Sequence, residues 1–214
     1  MTQNLIDGFL NFRKQAYDSP HGTMRALMKL GQSPDYFIIS CIDSRGNPGN
    51  VFQSQPGTFF SHKAMGAIVR PYKKGTALAA ALQFALKYNK VKHIIILGHT
   101  GCGAVKALID NIPDEDIASF VDVARSALNT AKELASAEET HDDLYRHAEE
   151  QIVLQSAENL RGYPSVQCAL DEKRITIKPW LFDMHEGDLL EYNPDLAQFI
   201  SLIHTAPTEK RVHA

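Results

Sequence analysis

Apolar residues along this chain follow two rhythms. Near the start, Leu5, Ile6, Phe9, Leu10 and Phe12 recur at helical intervals and predict an amphipathic helix over about residues 3–16. Met24 to Leu30 gives a second short helix, closed by Gly31 and the Ser33-Pro34 breaker. The rhythm then changes. Tyr36 to Ile39, within a strand expected over Asp35 to Cys41, and His93 to Leu97 are unbroken apolar, β-branched runs, the pattern of strands buried on both faces of a parallel sheet. Between them, Arg45-Gly46-Asn47-Pro48-Gly49 is turn chemistry that should stop a helix from starting, and Gln53 to Phe60 is a turn running into a short strand. Gly75 to Tyr88, capped by Thr76, has the broad apolar face of a helix crossing between the two strands.

Residues 110–150 hold twelve Asp and Glu against three Lys and Arg, with Ala and Leu at helical spacing, and read as a pair of solvated helices. Gln151 to Leu160 continues as a long helix, and Tyr163-Pro164-Ser165-Val166 opens a short one on which Cys168 is expected as buried filler. Arg174 to Asp183 and Leu189 to Tyr192, joined through Glu186-Gly187-Asp188, form a hairpin at the antiparallel edge of the sheet, with His185 exposed in its turn. Asn193-Pro194 is expected to cap a last helix from Asp195 to Ile203, followed by a frayed polar tail ending Lys210-Arg211-Val212-His213-Ala214. The whole is an α/β fold with a central, mostly parallel sheet flanked by helices. One domain, 1–214, is expected: a helical arm (1–33), an α/β core (34–192) with a helical insert (110–160), and a C-terminal helix and tail (193–214).

Chemistry concentrates at the carboxyl ends of the two apolar strands, where ligands gather in open α/β sheets. The first ends in Ser40-Cys41-Ile42-Asp43-Ser44-Arg45 and the second in Gly98-His99-Thr100-Gly101-Cys102-Gly103. If the strands are neighbours, Cys41, His99 and Cys102 converge as two thiolates and an imidazole. That set suits zinc, and three protein ligands leave a fourth position for water, the mark of a catalytic site. Gly98 and Gly101 permit the tight turn. The helix starting at Cys102 should lower that thiol's pKa through its amides. Asp43 and Arg45 stand beside the cluster; a bidentate hold by Arg45 keeps the carboxylate back as a proton acceptor. Val69, in the run Gly66-Ala67-Ile68-Val69, is expected on the apolar wall of the pocket and Gly103 on its rim, while Thr100 reads as a surface hydroxyl. His141 and His147 lie six apart, on different helix faces, which argues against joint metal ligation.

Composition narrows the partners. A formal charge of -3 gives no basic footprint for nucleic acid or an anionic membrane, and 44% hydrophobic content supports a full core. Three cysteines, an opening Met1-Thr2-Gln3-Asn4 without a basic or apolar leader, and no run long enough to span a bilayer point to a cytoplasmic chain with reduced thiols.

His-x-x-Cys in a glycine-rich turn, with Cys-x-Asp-x-Arg at the end of an earlier strand, resembles the β-class carbonic anhydrase signature, and the likeness runs from about Asp35 to Tyr192. The resemblance implies zinc-dependent, reversible hydration of CO2 to bicarbonate by zinc-bound hydroxide, with Cys41, His99 and Cys102 as ligands. Asp43 would be the proton acceptor oriented by Arg45, and in one subgroup Asp43 is a fourth ligand in a closed state. It also implies that Gln55 hydrogen-bonds substrate, that Phe84 faces the pocket, and that the N-terminal helix reaches to a partner subunit in a homodimer, or in a tetramer of such dimers. Thr58 and Lys63-Ala64 depart from the family's usual acidic residue and Arg-Asn, and Lys lacks Arg's planar fork. The same site in related proteins hydrolyses carbonyl sulfide or carbon disulfide, which is the alternative activity; a non-catalytic zinc protein is the other.

Overall fold

A computed structural model describes residues 2–136 and 140–203. Six strands form one sheet in the order β2-β1-β3-β4-β5-β6: β1 Tyr36–Ser40, β2 Phe59–Lys63, β3 His93–His99, β4 Thr176–Asp183, β5 Asp188–Asn193 and β6 Gln198–Ser201. The first four are parallel; β5 and β6 run antiparallel at one edge. The helices are α1 Gln3–Arg13, α2 Met24–Leu30, α3 Pro48–Val51, α4 Ala77–Gln83, α5 Gly103–Ile109, α6 Glu115–Val121, α7 Arg125–Leu134, α8 His141–Arg161 and α9 Pro164–Asp171.

Alternation along β1 and β3 explains why both strands are apolar throughout. Phe37, Ile39, Ile94 and Ile96 face one side, packed with Leu82 of α4, Val153 and Leu160 of α8, and Val166 of α9. Ile38, Ile95 and Leu97 face the other, against Phe52, Trp180 and Phe182. Each such fully buried side chain contributes roughly 1.5–3 kcal/mol. Helix α8, opened by a capping box between Thr140 and Asp143, passes so close behind β3 that a Cβ on Gly98 would sit 2.3 Å from Val153 Cγ2. Glycine is required there by proximity.

Four expectations are corrected. The turn after Arg45 does start a helix: Pro48 occupies the first position of α3, where its fixed φ fits, and the Asn47 side chain accepts from Gly49 N at 2.9 Å. Cys168 is exposed, because α9 turns Val166 and Ala169 inward and leaves Cys168 on the outer face, its Sγ 3.4 Å from Glu172 Oε1. Thr100 is buried; its hydroxyl accepts from Met184 N at 2.9 Å and donates toward Asp183. The expected C-terminal helix is a turn and a strand: Asn193 Oδ1 accepts from Asp195 N and Leu196 N, the chain reverses, and β6 pairs with β5. The polar tail ending Lys210-Arg211-Val212-His213-Ala214 lies outside the described residues.

Helix α1 buries none of its side chains, and Leu5, Ile6, Phe9, Leu10 and Phe12 are exposed. Among the described residues no helix is long and apolar enough to cross a membrane.

Candidate metal centre

Register builds the site. β1 and β3 are adjacent and parallel, with Ser40 opposite Leu97, so Cys41 leaves β1 level with the end of β3, where His99 is the last residue. The chain then turns through Gly101, at φ +66°, and Cys102 caps α5. One ligand atom from each of Cys41, His99 and Cys102 lies within 4.8 Å of the others, and all three side chains are buried. The sulfurs are 4.0 Å apart, too far for a disulfide.

The donor set fits a divalent metal. His99 Nδ1 is 3.0 Å from the Thr100 carbonyl, so it donates and leaves Nε2 with its lone pair. Nε2 is buried without a hydrogen-bond partner, an arrangement that costs free energy unless an electron-pair acceptor meets it. The sulfurs make the same demand. Cys41 is the thiol that ionises, stabilised by the Cys102 thiol first and, against the opposing effect of burial, by the Gly66 amide at 3.3 Å. Cys102 is driven upward by that neighbour and by burial, and the amides of Ala104 and Val105 are too weak to reverse it. The expected lowering of the Cys102 pKa by the start of α5 is therefore outweighed: two thiolates this close need a cation between them.

Asp43 and Arg45 form the anticipated fork. Arg45 Nε donates to Asp43 Oδ1 at 3.1 Å, Nη2 to Oδ2 at 2.8 Å, and the Arg45 amide to Oδ1 at 2.9 Å. The guanidinium holds the Asp43 carboxyl down at about 2. Asp43 Oδ2 is 4.0 Å from His99 Nε2, so the less saturated oxygen faces the cluster.

Two supporting groups escaped the sequence reading. Glu149 of α8 is buried and its Oε1 accepts from Cys102 N at 3.0 Å; burial raises its pKa and the Cys102 amide opposes that. Lys63, noticed only as a departure from a pattern, donates from Nζ to the Cys41 carbonyl at 2.8 Å. A signal for Glu149 existed: 148, 149, 152, 153, 156, 157 and 160 form the buried stripe of α8, and the carboxylate is its second member.

The remaining expected site residues are dispersed. Gly103 lines the same cavity as Cys102, of about 690 Å³, together with Lys106, Tyr145, Arg146 and Glu149. Val69 is fully buried in the main core, whereas Ile68 packs with Cys41 and Cys102. Successive residues of an extended segment point to opposite sides, so only one of the pair faces the thiols. Gln55 lines a separate cavity against Phe12 and Gln15, and Phe84 is 53% exposed, beside Phe60 and Tyr88.

Residues 36–189 match the family model described as carbonic anhydrase, a span that contains both ligand-bearing strands and the Asp43–Arg45 fork. Along the whole fold the chain superposes on the structure of the β-carbonic anhydrase CcaA with a TM-score of 0.84 and 27% identity, covering 94% of this chain and 91% of that one. The chain belongs to the β-carbonic anhydrase family. Among relatives, a carbonic anhydrase of Pseudomonas aeruginosa is 31% identical over 208 residues, 94% of this chain and 91% of that protein. Carbonic anhydrase 1 of Escherichia coli O157:H7 is 31% identical over 212 residues, 94% of this chain and 92% of that protein. A structure described as one of two tetrameric β-carbonic anhydrases of Sordaria macrospora shares the fold at a TM-score of 0.77 and 21% identity, covering 89% of this chain and 94% of that one.

Proposed function

We propose that this β-carbonic anhydrase catalyses the reversible hydration of CO2 to bicarbonate and a proton, with zinc held by Cys41, His99 and Cys102. The observation that carries the reading is the convergence of two buried sulfurs and an unpartnered His99 Nε2 beside a carboxylate restrained by arginine. Zinc bound there would lower the pKa of a water from about 15.7 toward roughly 7, less far than in a site of three imidazoles because thiolates donate more charge.

The chain's own groups do the rest. Asp43 Oδ1 is saturated by the Arg45 amide and Nε, so Oδ2, with one bond from Nη2, is the atom with a lone pair to accept a proton-side hydrogen bond. Arg45 also reaches the Gly101 carbonyl at 3.3 Å, which ties the fork to the second ligand loop. Direct ligation by Asp43, the closed form, would draw the carboxylate toward the cluster and away from Arg45; the intact fork favours the open form. Ile68 supplies apolar surface beside the thiols and Gly103 an open rim, both suited to a small nonpolar substrate. Within one chain neither Gln55 nor Phe84 lines the cavity beside Cys102. The exposed apolar residues of α1 support a homodimer in which this helix packs on the partner subunit; Phe9→Glu should weaken association, read as a smaller particle by light scattering.

Metal analysis combined with CO2 hydration from neutral to alkaline pH tests the activity. One zinc per chain and rates rising with pH are expected. Asp43→Asn should retain zinc and lose about 10²–10⁴-fold in rate. Full activity in metal-free protein, or in Asp43→Asn, would sink the proposal.

A further inference from the structure

A second cavity, of about 740 Å³, lies between the end of β2, the segment leading into α4, and α6 with the turn that follows it. It shares no lining residue with the cavity beside Cys102. Its floor is apolar and fixed: Ile68, Leu78 and Tyr163 are all buried. Its charge is one-sided. Arg70 and Lys73 line it beside His62, whose charged form burial disfavours, and no acidic side chain does. The Arg70 guanidinium lies 5.8 Å from the centroid of the Phe120 ring on the opposite wall, and among the described residues neither Arg70 nor Lys73 is drawn into an ion pair. The nearest acid in sequence to that wall, Asp122, is held at 3.0 Å by Arg125. In a chain of net charge -3, such a basic group around an apolar floor is a local excess.

We propose that this cavity binds a small organic anion, a carboxylate or sulfonate on an apolar body, with the anionic group at Arg70 and Lys73 and the body between Phe120 and Leu78. Basic groups without acidic partners gain most from an anion, and the guanidinium gives bidentate bonds to a carboxylate. The apolar floor loses water to an aliphatic or aromatic body. Inorganic anions gain only the first effect and neutral amphiphiles only the second, so an amphiphilic anion is selected over either.

The test uses the full chain loaded with zinc and anilinonaphthalene sulfonate as a fluorescent probe, with octanoate, octanol and chloride as competitors. Saturable probe binding at one site per chain is expected, displaced by octanoate at least tenfold more effectively than by octanol or chloride. The variant Arg70→Gln with Lys73→Gln, at two exposed positions, should weaken binding at least tenfold while CO2 hydration stays unchanged. Phe120→Ala should weaken it independently. Absence of saturable binding, equal displacement by octanol, or undiminished binding in the double variant would overturn the proposal. Since the readout is fluorescence and not hydration, failure here is separate from failure of the catalytic reading.

Discussion

Gly98 offers a sharp test of how the centre is held in place. A methyl group added there meets Val153 Cγ2 at 2.3 Å and Leu181 Cδ1 at 3.2 Å, on a strand whose next residue is His99. Neither contact is with the far end of a flexible chain: Val153 is fully buried on α8 and Leu181 fully buried on β4. Gly98→Ala therefore forces α8 away from the sheet or bends β3, an overpacking that costs about 1–3 kcal/mol. Val153→Ala alone removes two buried methyl groups, and costs about 2 kcal/mol from lost burial and the space left behind. Together the two substitutions relieve each other, since the added methyl takes the space of the removed Cγ2. The double variant should be more stable than the sum of the single losses by about 1–2 kcal/mol. Urea unfolding can be followed by the fluorescence of Trp180, the chain's one tryptophan, which packs edge-on to Phe52 at 6.0 Å. Protein concentration must be equal across variants, because association would add to apparent stability. Losses that add to within about 0.5 kcal/mol would refute the close approach of α8 to β3 as the reason for glycine.

Three other outcomes are expected. Removing zinc with a chelator should lower the thermal midpoint, because the ion binds only the folded centre, and re-addition should restore it; an unchanged midpoint in protein verified as zinc-free would count against the site. Of the three cysteines, only Cys168 should react rapidly with a thiol reagent in the zinc-loaded chain, increasingly so at alkaline pH because Glu172 raises its pKa, and Cys168→Ser should abolish the fast phase. For Asp183, burial pushes the carboxyl up, but Arg146 at 2.8 Å and the amides of Glu186 and His185 outweigh it, giving a net lowering. A carboxylate lowered on folding stabilises above its unfolded pKa and loses that contribution as pH falls through the folded value. Asp183→Asn should thus be less stable at neutral pH and show a shallower loss of stability below about pH 4.

Much of the centre was legible because its ligands sit where local rules are strong. Unbroken apolar runs mark β1 and β3, and the ends of adjacent parallel strands bring Cys41, His99 and Cys102 together. The fork of Asp43 and Arg45 is a contact between residues two apart, so sequence alone carries it. Glu149 and Lys63 were hidden for the opposite reason: each meets a ligand loop from an element distant in the chain, and a carboxylate in an acid-rich insert has the composition of solvated surface. Local signals also competed. Asn193 has the side chain of a helix cap, yet its carboxamide closes a turn, because the antiparallel edge of β5 offers the following residues backbone partners. In the run Gly66-Ala67-Ile68-Val69, alternation turns Ile68 to the thiols and Val69 into the main core, a choice the apolar run does not make.

The pairing of Ser40 with Leu97 would give a bound ion a further part in the life of the chain. Sliding β1 by a single position against β3 would swing Cys41 to the far side of the sheet, and the remaining imidazole and sulfur would grip a cation poorly. Tight retention of a metal by Cys41, His99 and Cys102 would thus certify correct strand alignment. Misassembled molecules would identify themselves by giving up their metal first.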